Sequence, residues 1–493
     1  MARFHSIIAI VLFAFCFEAT AQELVVVKDV EGPSYVVEGN LHDLLYAEPS
    51  LTGPNKAKRF AQPVGEVVNY QDRITNMPQY FHDFIAEYVK AGQEVLNGGT
   101  NWLSDPQKGL VSSSSYYYLL KEVKGTANFT FAPGSDAETI KQAAINAFYD
   151  IYQDEYDILK SFLPYAFLSV NLDHPEFFWI GNAFHYGCDN GFSYSYYASG
   201  RGTVEYTIKL KFNLYANGFD IRINGVSTYN FRNATNLANG VQAFKNNVQT
   251  ILSGCQTGSR YDKLVAAHDW LTTHNSYNPY YLQGYAQSQI GDTPWSSYSG
   301  IEGSNDRQAP VCEGYARAFK VLCDKLEIPC ILMSGNVQSS GGSGGHMWNY
   351  VQMEDGKWYA VDVTWDDPSV VGRYDVVSGH ESHDWFLLGS TTEVESGLTF
   401  IESHPEQWFD NYPSNGSYTW ELQPGPELAP LAWTPDEELK GDVNKDGVVD
   451  IADAVSVLNA MAGQEVLGNA NVNGDDKIDI ADFVSVLNIM AGQ

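Results

Sequence analysis

The sequence predicts an α+β protein: a helix opening at Cys312 packed on an antiparallel sheet, an accessory region before it and a small all-α unit after it. Three observations carry this. After Pro310 the apolar residues Tyr315, Phe319, Leu322 and Leu326 fall at helical spacing, so Cys312 sits in the first turn of a helix. Two alternating segments, MWNYV from Met347 and WYAVDV from Trp358, flank the turn signal Asp355-Gly356 and read as a hairpin. Near the C-terminus the stretch Asp442 to Gly463 returns as Asn471 to Gly492, each copy a polar loop followed by an apolar helix.

Taken in order, the chain opens with Arg3, an apolar run from Ile7 to Phe17 and the small-residue site Ala19-Thr20-Ala21. This reads as a signal peptide over 1–21 and predicts a secreted protein, extracellular, at the cell surface or in a periplasm. The run is too short to span a bilayer stably, and bulky Phe15 before Cys16 argues against a lipid anchor. No later stretch is long and apolar enough for membrane insertion. Residues 22–135 form an N-terminal region with little readable chemistry, holding one helix from Met77 to Leu96 that stops at Asn97-Gly98-Gly99. Residues 136–250 contain a long helix beginning near Ser135-Asp136, then strands at His174–Phe184 and Gly202–Ala216. The span 278–310, rich in Tyr, Ser, Gly, Asp and Pro, reads as a loop. A Pro-rich acidic stretch at 423–440 reads as a semi-extended linker to a last unit at 441–493.

With 493 residues the chain is long enough for two or three domains, and 44% hydrophobic content marks it as globular. A net charge of −31 argues against nucleic acid or an anionic membrane as partner. It favours an extracellular protein or one that binds cations. Cleavage of the leader leaves Cys188, Cys255, Cys312, Cys323 and Cys330; in an oxidising compartment that odd count leaves one thiol unpaired. The four others either pair, with Cys323–Cys330 one option that would staple a helix to the next strand, or are buried thiols.

Cys312, His346 and Asp362 stand in a context suited to thiol chemistry. A helix N-terminus stabilises a thiolate through its exposed N–H groups. His346 enters the first strand of the hairpin after a glycine-rich run, and Asp362 ends the second, so imidazole and carboxylate meet across it. The motifs CEGYA-x-AF, H-x-WN and WY-x-VD-x-TWDD resemble the bacterial transglutaminase-like (papain-like thiol) superfamily, from about Tyr261–Leu271 to Asp384–Ser390. The resemblance implies a catalytic domain at 251–422, an accessory layer of the core at 136–250, and a Cys312–His346–Asp362 triad that needs no cofactor. It also implies an oxyanion or substrate contact at Tyr298 or Trp295, with plain packing the alternative for either. His268, His274, His380 and His383 lack strong zinc spacing, apart from a lone HxxH.

The C-terminal repeats place oxygen side chains at loop positions 1, 3, 5, 9 and 12. In the first copy these are Asp442, Asn444, Asp446, Asp450 and Asp453, with Gly447 at the sharp turn; in the second they are Asn471, Asn473, Asp475, Asp479 and Asp482. Position 7 would add the carbonyls of Val448 and Lys477. Such spacing wraps hard oxygens around one Ca2+ per loop. The duplicated loop–helix unit resembles a type I dockerin, which implies two Ca2+ ions and a cohesin-type protein partner. It departs from that family at Asn471 and Asp476, which predicts a weaker second site. It departs again at Ile451-Ala452 and Ile480-Ala481, where recognition usually uses hydroxyl residues.

Together these features predict a secreted thiol acyl-transfer enzyme acting on peptide or carboxamide bonds. Its class is cysteine protease or amidase, or transglutaminase-type acyltransferase, and hydrolysis is favoured because no lysine-acceptor tunnel is recognisable. The rival reading is a catalytically silent binding or scaffolding protein held in a dockerin-organised, polysaccharide-degrading complex. No paired-carboxylate arrangement of a glycosidase stands out.

Overall fold

The computed structural model describes residues 24–31, 35–40, 69–74, 76–98, 110–111, 118–216, 231, 234–303, 307–339, 342–367, 382–394, 397–406, 425–434, 440–444, 448–475 and 477–491. The expected signal peptide, His380, Asp446, Gly447 and Asp476 lie outside them. Among the described residues no helix is long and apolar enough to cross a membrane.

The N-terminal half is built on a large antiparallel hairpin. Strands β1 (Leu24–Glu31), β2 (Tyr35–Asn40), β3 (Leu110–Val111), β4 (Tyr118–Thr130), β5 (Ile180–Tyr197) and β6 (Arg201–Ala216) form one sheet. β5 and β6 turn at Gly200, whose φ of +98° is open to glycine, and pair Tyr197 with Arg201. Helices α1 (Gln79–Leu96) and α2 (Ala137–Asp173) cover it. Asp136 starts α2 by accepting a bond from Thr139 N at 2.8 Å, as an N-cap should. Phe148 on α2 stacks on Phe192 of β5 at 4.9 Å.

Two sequence-based boundaries change. Strand β4 pairs along its length with β6, so the division at 135 runs through one sheet: β4 buries its apolar face only with its partner. The division at 250 falls inside helix α3 (Ala234–Cys255). His174–Trp179 is a turn, not a strand, because His174 caps α2 and the chain folds back through bonds from Phe177 N to His174 O and Ile180 N to Phe177 O. Phe177, Phe178 and Trp179 are buried there. Phe177 lies so close to α1 that a Cβ on Gly92 would come within 2.5 Å of its ring.

The second half holds the predicted helix-on-sheet unit. Helix α4 (Arg260–His274) opens with a capping box between Ser259 and Asp262. The supposed loop 278–310 contains short helices α5 (Pro279–Leu282), α6 (Gln287–Ile290) and α7 (Ser297–Glu302), with a 3₁₀ turn at Thr293–Trp295. Helix α8 (Cys312–Lys325) packs on strands β7 (Cys330–Ser339) and β8 (Gly342–Gln352). β8 pairs next with β9 (Trp358–Val361), and β9 with β10 (Phe386–Leu388), giving the order β10-β9-β8-β7. Short helices α9 (Val363–Asp366) and α10 (Phe400–Ser403) follow β9 and β10.

The first part of the expected linker belongs to this unit. Ala429 N donates to Trp358 O at 2.9 Å, Ser390 N to Ala429 O at 2.7 Å, and Trp433 N to Leu387 O at 2.9 Å. Trp433 stacks on Tyr261 at 5.0 Å. Leu428, Ala429 and Trp433 supply apolar surface, and the intervening prolines still offer carbonyls, so this stretch docks instead of spacing. The Cys323–Cys330 staple is not formed: the five described cysteines are free and buried, and Cys330 Sγ accepts from Asn349 Nδ2 at 3.4 Å.

The last unit has its own small core of Val443, Ala454, Val457, Ala470, Val472 and Val486. Its helices α11 (Ile451–Met461) and α12 (Ile480–Met490) begin with matching capping boxes, Asp450 with Asp453 and Asp479 with Asp482.

Candidate active site

Cys312 is the first helical residue of α8, and Val311 before it is extended with no side-chain cap. The first-turn amides of the helix therefore look out at the thiol. The helix end is wedged in place: a Cβ on Gly314 would come within 2.5 Å of Pro294 O and 2.6 Å of Ser299 Oγ, so the glycine of CEGYA permits this packing. Glu313, buried, pairs with Arg317 Nη2 at 3.2 Å. Arg317 Nη1 also bonds Asn171 O at 2.7 Å, tying α8 to the end of α2.

The hairpin brings the other two residues to the thiol. His346 sits on β8 opposite Gly335 of β7, and Asp362 follows β9 directly. His346 Nε2 lies 2.6 Å from Asp362 Oδ2, and the Cys312 side chain sits close enough to the same ring to help raise its pKa. With Nε2 committed to the carboxylate, Nδ1 is the nitrogen left for the thiol. Asn349, three residues further along β8, bonds Ala316 O at 3.0 Å and locks β8 to α8. Trp365 covers the His346 ring at 5.3 Å.

Asp362 has no solvent exposure. Its Oδ1 accepts from Thr364 N at 3.1 Å and Trp365 N at 3.3 Å, capping α9. Its Oδ2 accepts a second imidazole, His404 Nε2, at 3.1 Å. Burial works against the Asp362 charge, but the His346 charge and hydrogen bond, then the His404 bond, hold the carboxyl well below its usual range. Burial likewise pulls His346 down, but Asp362 and then Cys312 outweigh it and raise the ring to about 10. His404 goes the other way: burial dominates and lowers it to about 4. At neutral pH the carboxylate thus faces one imidazolium and one neutral ring.

The neighbouring aspartates of TWDD are spoken for. Asp366 accepts from His268 Nε2 at 3.1 Å, Ser382 Oγ at 2.7 Å and Trp385 N at 3.0 Å. Asp367 accepts the Tyr315 hydroxyl. Two groups have a metal-like composition among the described residues, His268–Asp269–His383 and His346–Asp362–His404. Their spacings of 2.6–3.1 Å are those of hydrogen bonds, and both nitrogens of His268 are taken by carboxylates.

The two aromatic candidates fare differently. Tyr298 packs among Phe178, Phe231 and Phe244 and takes the packing alternative. Trp295 meets Tyr281 edge-on at 5.6 Å, and burial, then the nearby Cys312, raise the Tyr281 hydroxyl above its ordinary value. The aromatic beside the thiol is Tyr277; burial, then the neighbouring Cys312, push its hydroxyl well above the usual range. Nothing in the NSYNPYY stretch distinguishes Tyr277 from its neighbours by spacing, and His404 lies in a segment with no motif.

In the C-terminal unit the position-12 carboxylates, in the first turns of α11 and α12, are buried. Asp453 accepts from Asn444 N at 2.9 Å and Asp450 N at 2.9 Å; Asp482 accepts from Asn473 N at 3.0 Å and Asp479 N at 2.9 Å. Asn471 Oδ1 accepts from Gly474 N and Asp475 N, closing the second loop on itself. Among the described residues the donors at these two helix starts are hard oxygens, which fits Ca2+ in kind.

Comparison with known proteins identifies one domain. No curated protein matches the chain. A solved structure described as "Crystal structure of a TGase" is 15% identical with a TM-score of 0.23, over 37% of this chain and 46% of that one. The chain thus spans less than half the length of that structure. Residues 245–363 match the family described as the transglutaminase-like superfamily: they contain Cys312, His346 and Asp362, and the chain carries a transglutaminase-like domain.

Proposed function

We propose that the chain is a secreted thiol acyl-transfer enzyme that acts on peptide or carboxamide bonds, with hydrolysis as its reaction. One observation carries this: Cys312, at a helix N-terminus, shares His346 with a buried Asp362. The Cys312 thiolate attacks the carbonyl carbon, and His346 delivers its Nδ1 proton to the leaving nitrogen as the C–N bond breaks. The thioester is then opened by water, which passes a proton back to His346 and restores the thiolate. Asp362 keeps the ring in the required tautomer and stabilises the imidazolium. In this reading the Cys312 N–H and the Tyr277 hydroxyl serve as the donors to the oxyanion.

The C-terminal unit serves in this reading as a dockerin. Asp442, Asn444, Asp446, Asp450 and Asp453, with the Val448 carbonyl, would hold one Ca2+. Asn471, Asn473, Asp475, Asp479 and Asp482, with the Lys477 carbonyl, would hold a second, weaker one. Exposed Ile451, Val455, Ile480 and Val484 support a protein partner of cohesin type that is recognised through apolar contact.

The test is alkylation followed by turnover. Iodoacetamide at neutral pH should label Cys312 ahead of the other four cysteines, and more slowly in His346→Ala. Equal labelling of all five removes the enzyme reading in favour of a binding scaffold. A peptide mixture incubated with and without added amine, read by mass spectrometry, separates hydrolysis from transamidation. Calorimetric Ca2+ titration of the whole chain should resolve two sites, the tighter one abolished by Asp446→Ala; no heat of binding would end the dockerin reading.

A further inference from the structure

We propose that His404 is a positioning residue of the thiol site, the fourth member of a chain Cys312–His346–Asp362–His404. The inference rests on the thiol reading above and deepens it. His404 lies 42 positions from Asp362 in sequence, beyond the matched family segment, yet donates from Nε2 to the same Oδ2 that holds His346.

The surroundings are built for this one contact. The His404 ring is fully buried. It stacks on Phe400 at 4.5 Å and 12°, and meets Trp348, Trp365 and Trp385 at 5.0, 4.6 and 5.2 Å. Such an aromatic cage suits a phenyl ring better than an imidazole, because it leaves Nδ1 buried with no partner and an unpaired buried acceptor is costly. Among the described residues the side chain's one polar interaction is with Asp362. Packing alone does not explain a histidine here; a donor at Nε2 does.

The backbone that carries His404 is fixed from several sides. His404 N bonds Phe400 O at 2.7 Å, and Phe400 N bonds Thr392 O at 2.9 Å. Two residues on, Glu406 pairs with buried Arg73 from the N-terminal region and bridges to Gly335. Gly335 is the cross-strand neighbour of His346, and a Cβ there would collide with Pro405 O. The glycine opposite the catalytic histidine is thus what admits the segment bearing His404.

Physically, a carboxylate with two lone pairs on Oδ2 and only one ring to hold can rotate about its Cβ–Cγ bond. A second donor on the same oxygen, with two amides on Oδ1, leaves it one orientation, aimed at His346 Nε2. Because burial keeps His404 neutral near pH 7, it donates without adding a second positive charge that would compete for Asp362.

Three proteins decide the matter: wild type, His404→Phe and His404→Gln. Phe keeps the ring and fills the cage but removes the donor; Gln places an N–H near the position of Nε2. Cys312 alkylation by iodoacetamide at pH 7 should slow about tenfold in His404→Phe and stay within about threefold of wild type in His404→Gln. The downfield proton resonance of His346 on Asp362 should move in the Phe variant alone. Wild-type alkylation in His404→Phe, or Gln as slow as Phe, overturns the inference. A wild-type Cys312 no more reactive than the other cysteines overturns the thiol reading beneath it.

Discussion

Two buried histidines lean on aspartates four residues apart, Asp362 capping α9 and Asp366 ending it, and they do different things. His346 gives Nε2 to Asp362 and keeps Nδ1 for Cys312. His268 gives Nε2 to Asp366 and Nδ1 to Asp269, so no ring nitrogen is left for a reacting group. Both rings are raised above the ordinary histidine value by their carboxylates. The charge state is shared, and the free nitrogen is not. A His–Asp pair is therefore a base only where the second nitrogen opens onto chemistry; elsewhere the same pair is a brace, here joining α4 to α9 and to the start of β10.

The largest expected effect breaks that comparison at Asp362. Asp362→Asn should fold, retain substrate binding and lose turnover on the order of 10⁴-fold, because His346 would be held in the wrong tautomer. Steady-state kinetics on a peptide hydrolysed by the wild type would show it, and near-normal turnover would make the His346 pair a brace as well.

Asp366→Asn tests the other side. Removing one partner of a buried charged pair costs roughly 3–5 kcal/mol, so its denaturant midpoint should fall sharply. Turnover per folded molecule should change less than tenfold. A turnover loss like that of Asp362→Asn would show that His268 belongs to the chemistry.

The smallest effect separates the rings by pH. His346 is raised in the fold, so its contribution is full below its unfolded value of about 6.5 and is lost as pH rises toward about 10. His404 is lowered, so the unfolded chain takes up a proton first and stability falls as pH drops from about 6.5 to about 4. Asp362, held low, contributes above about pH 4 and loses its contribution only in stronger acid. Unfolding curves between pH 6.5 and 4 should therefore show wild type losing about 3 kcal/mol relative to His404→Gln. Parallel curves would mean that His404 is charged in the fold.

Much of this could be read from sequence because it is local. The start of α8 is written in Pro310 and the apolar repeat behind Cys312, the β8–β9 hairpin in Asp355-Gly356, and the start of α2 in Asp136. What misled was equally physical. The stretch 423–440 carries linker residues, yet a few apolar side chains and free carbonyls dock its first half on β9 and β10. His174–Trp179 is apolar enough to read as strand, but it turns because α2 ends there. Tyr277 gave no signal beyond being one tyrosine among several.

The sequence by itself determined that Cys312 stands at a helix start, His346 on a strand and Asp362 at the end of the next, in that order, since helix starts, strand alternation and a tight turn each depend on a handful of consecutive residues. Only the tertiary structure decided which nitrogen of His346 faces the thiol, that Tyr277 and not Tyr298 stands beside it, and that His404 closes the far side of Asp362. Those outcomes depend on close approaches between distant segments, Pro405 over Gly335 and Arg73 against Glu406, and no local propensity encodes a contact across 333 residues.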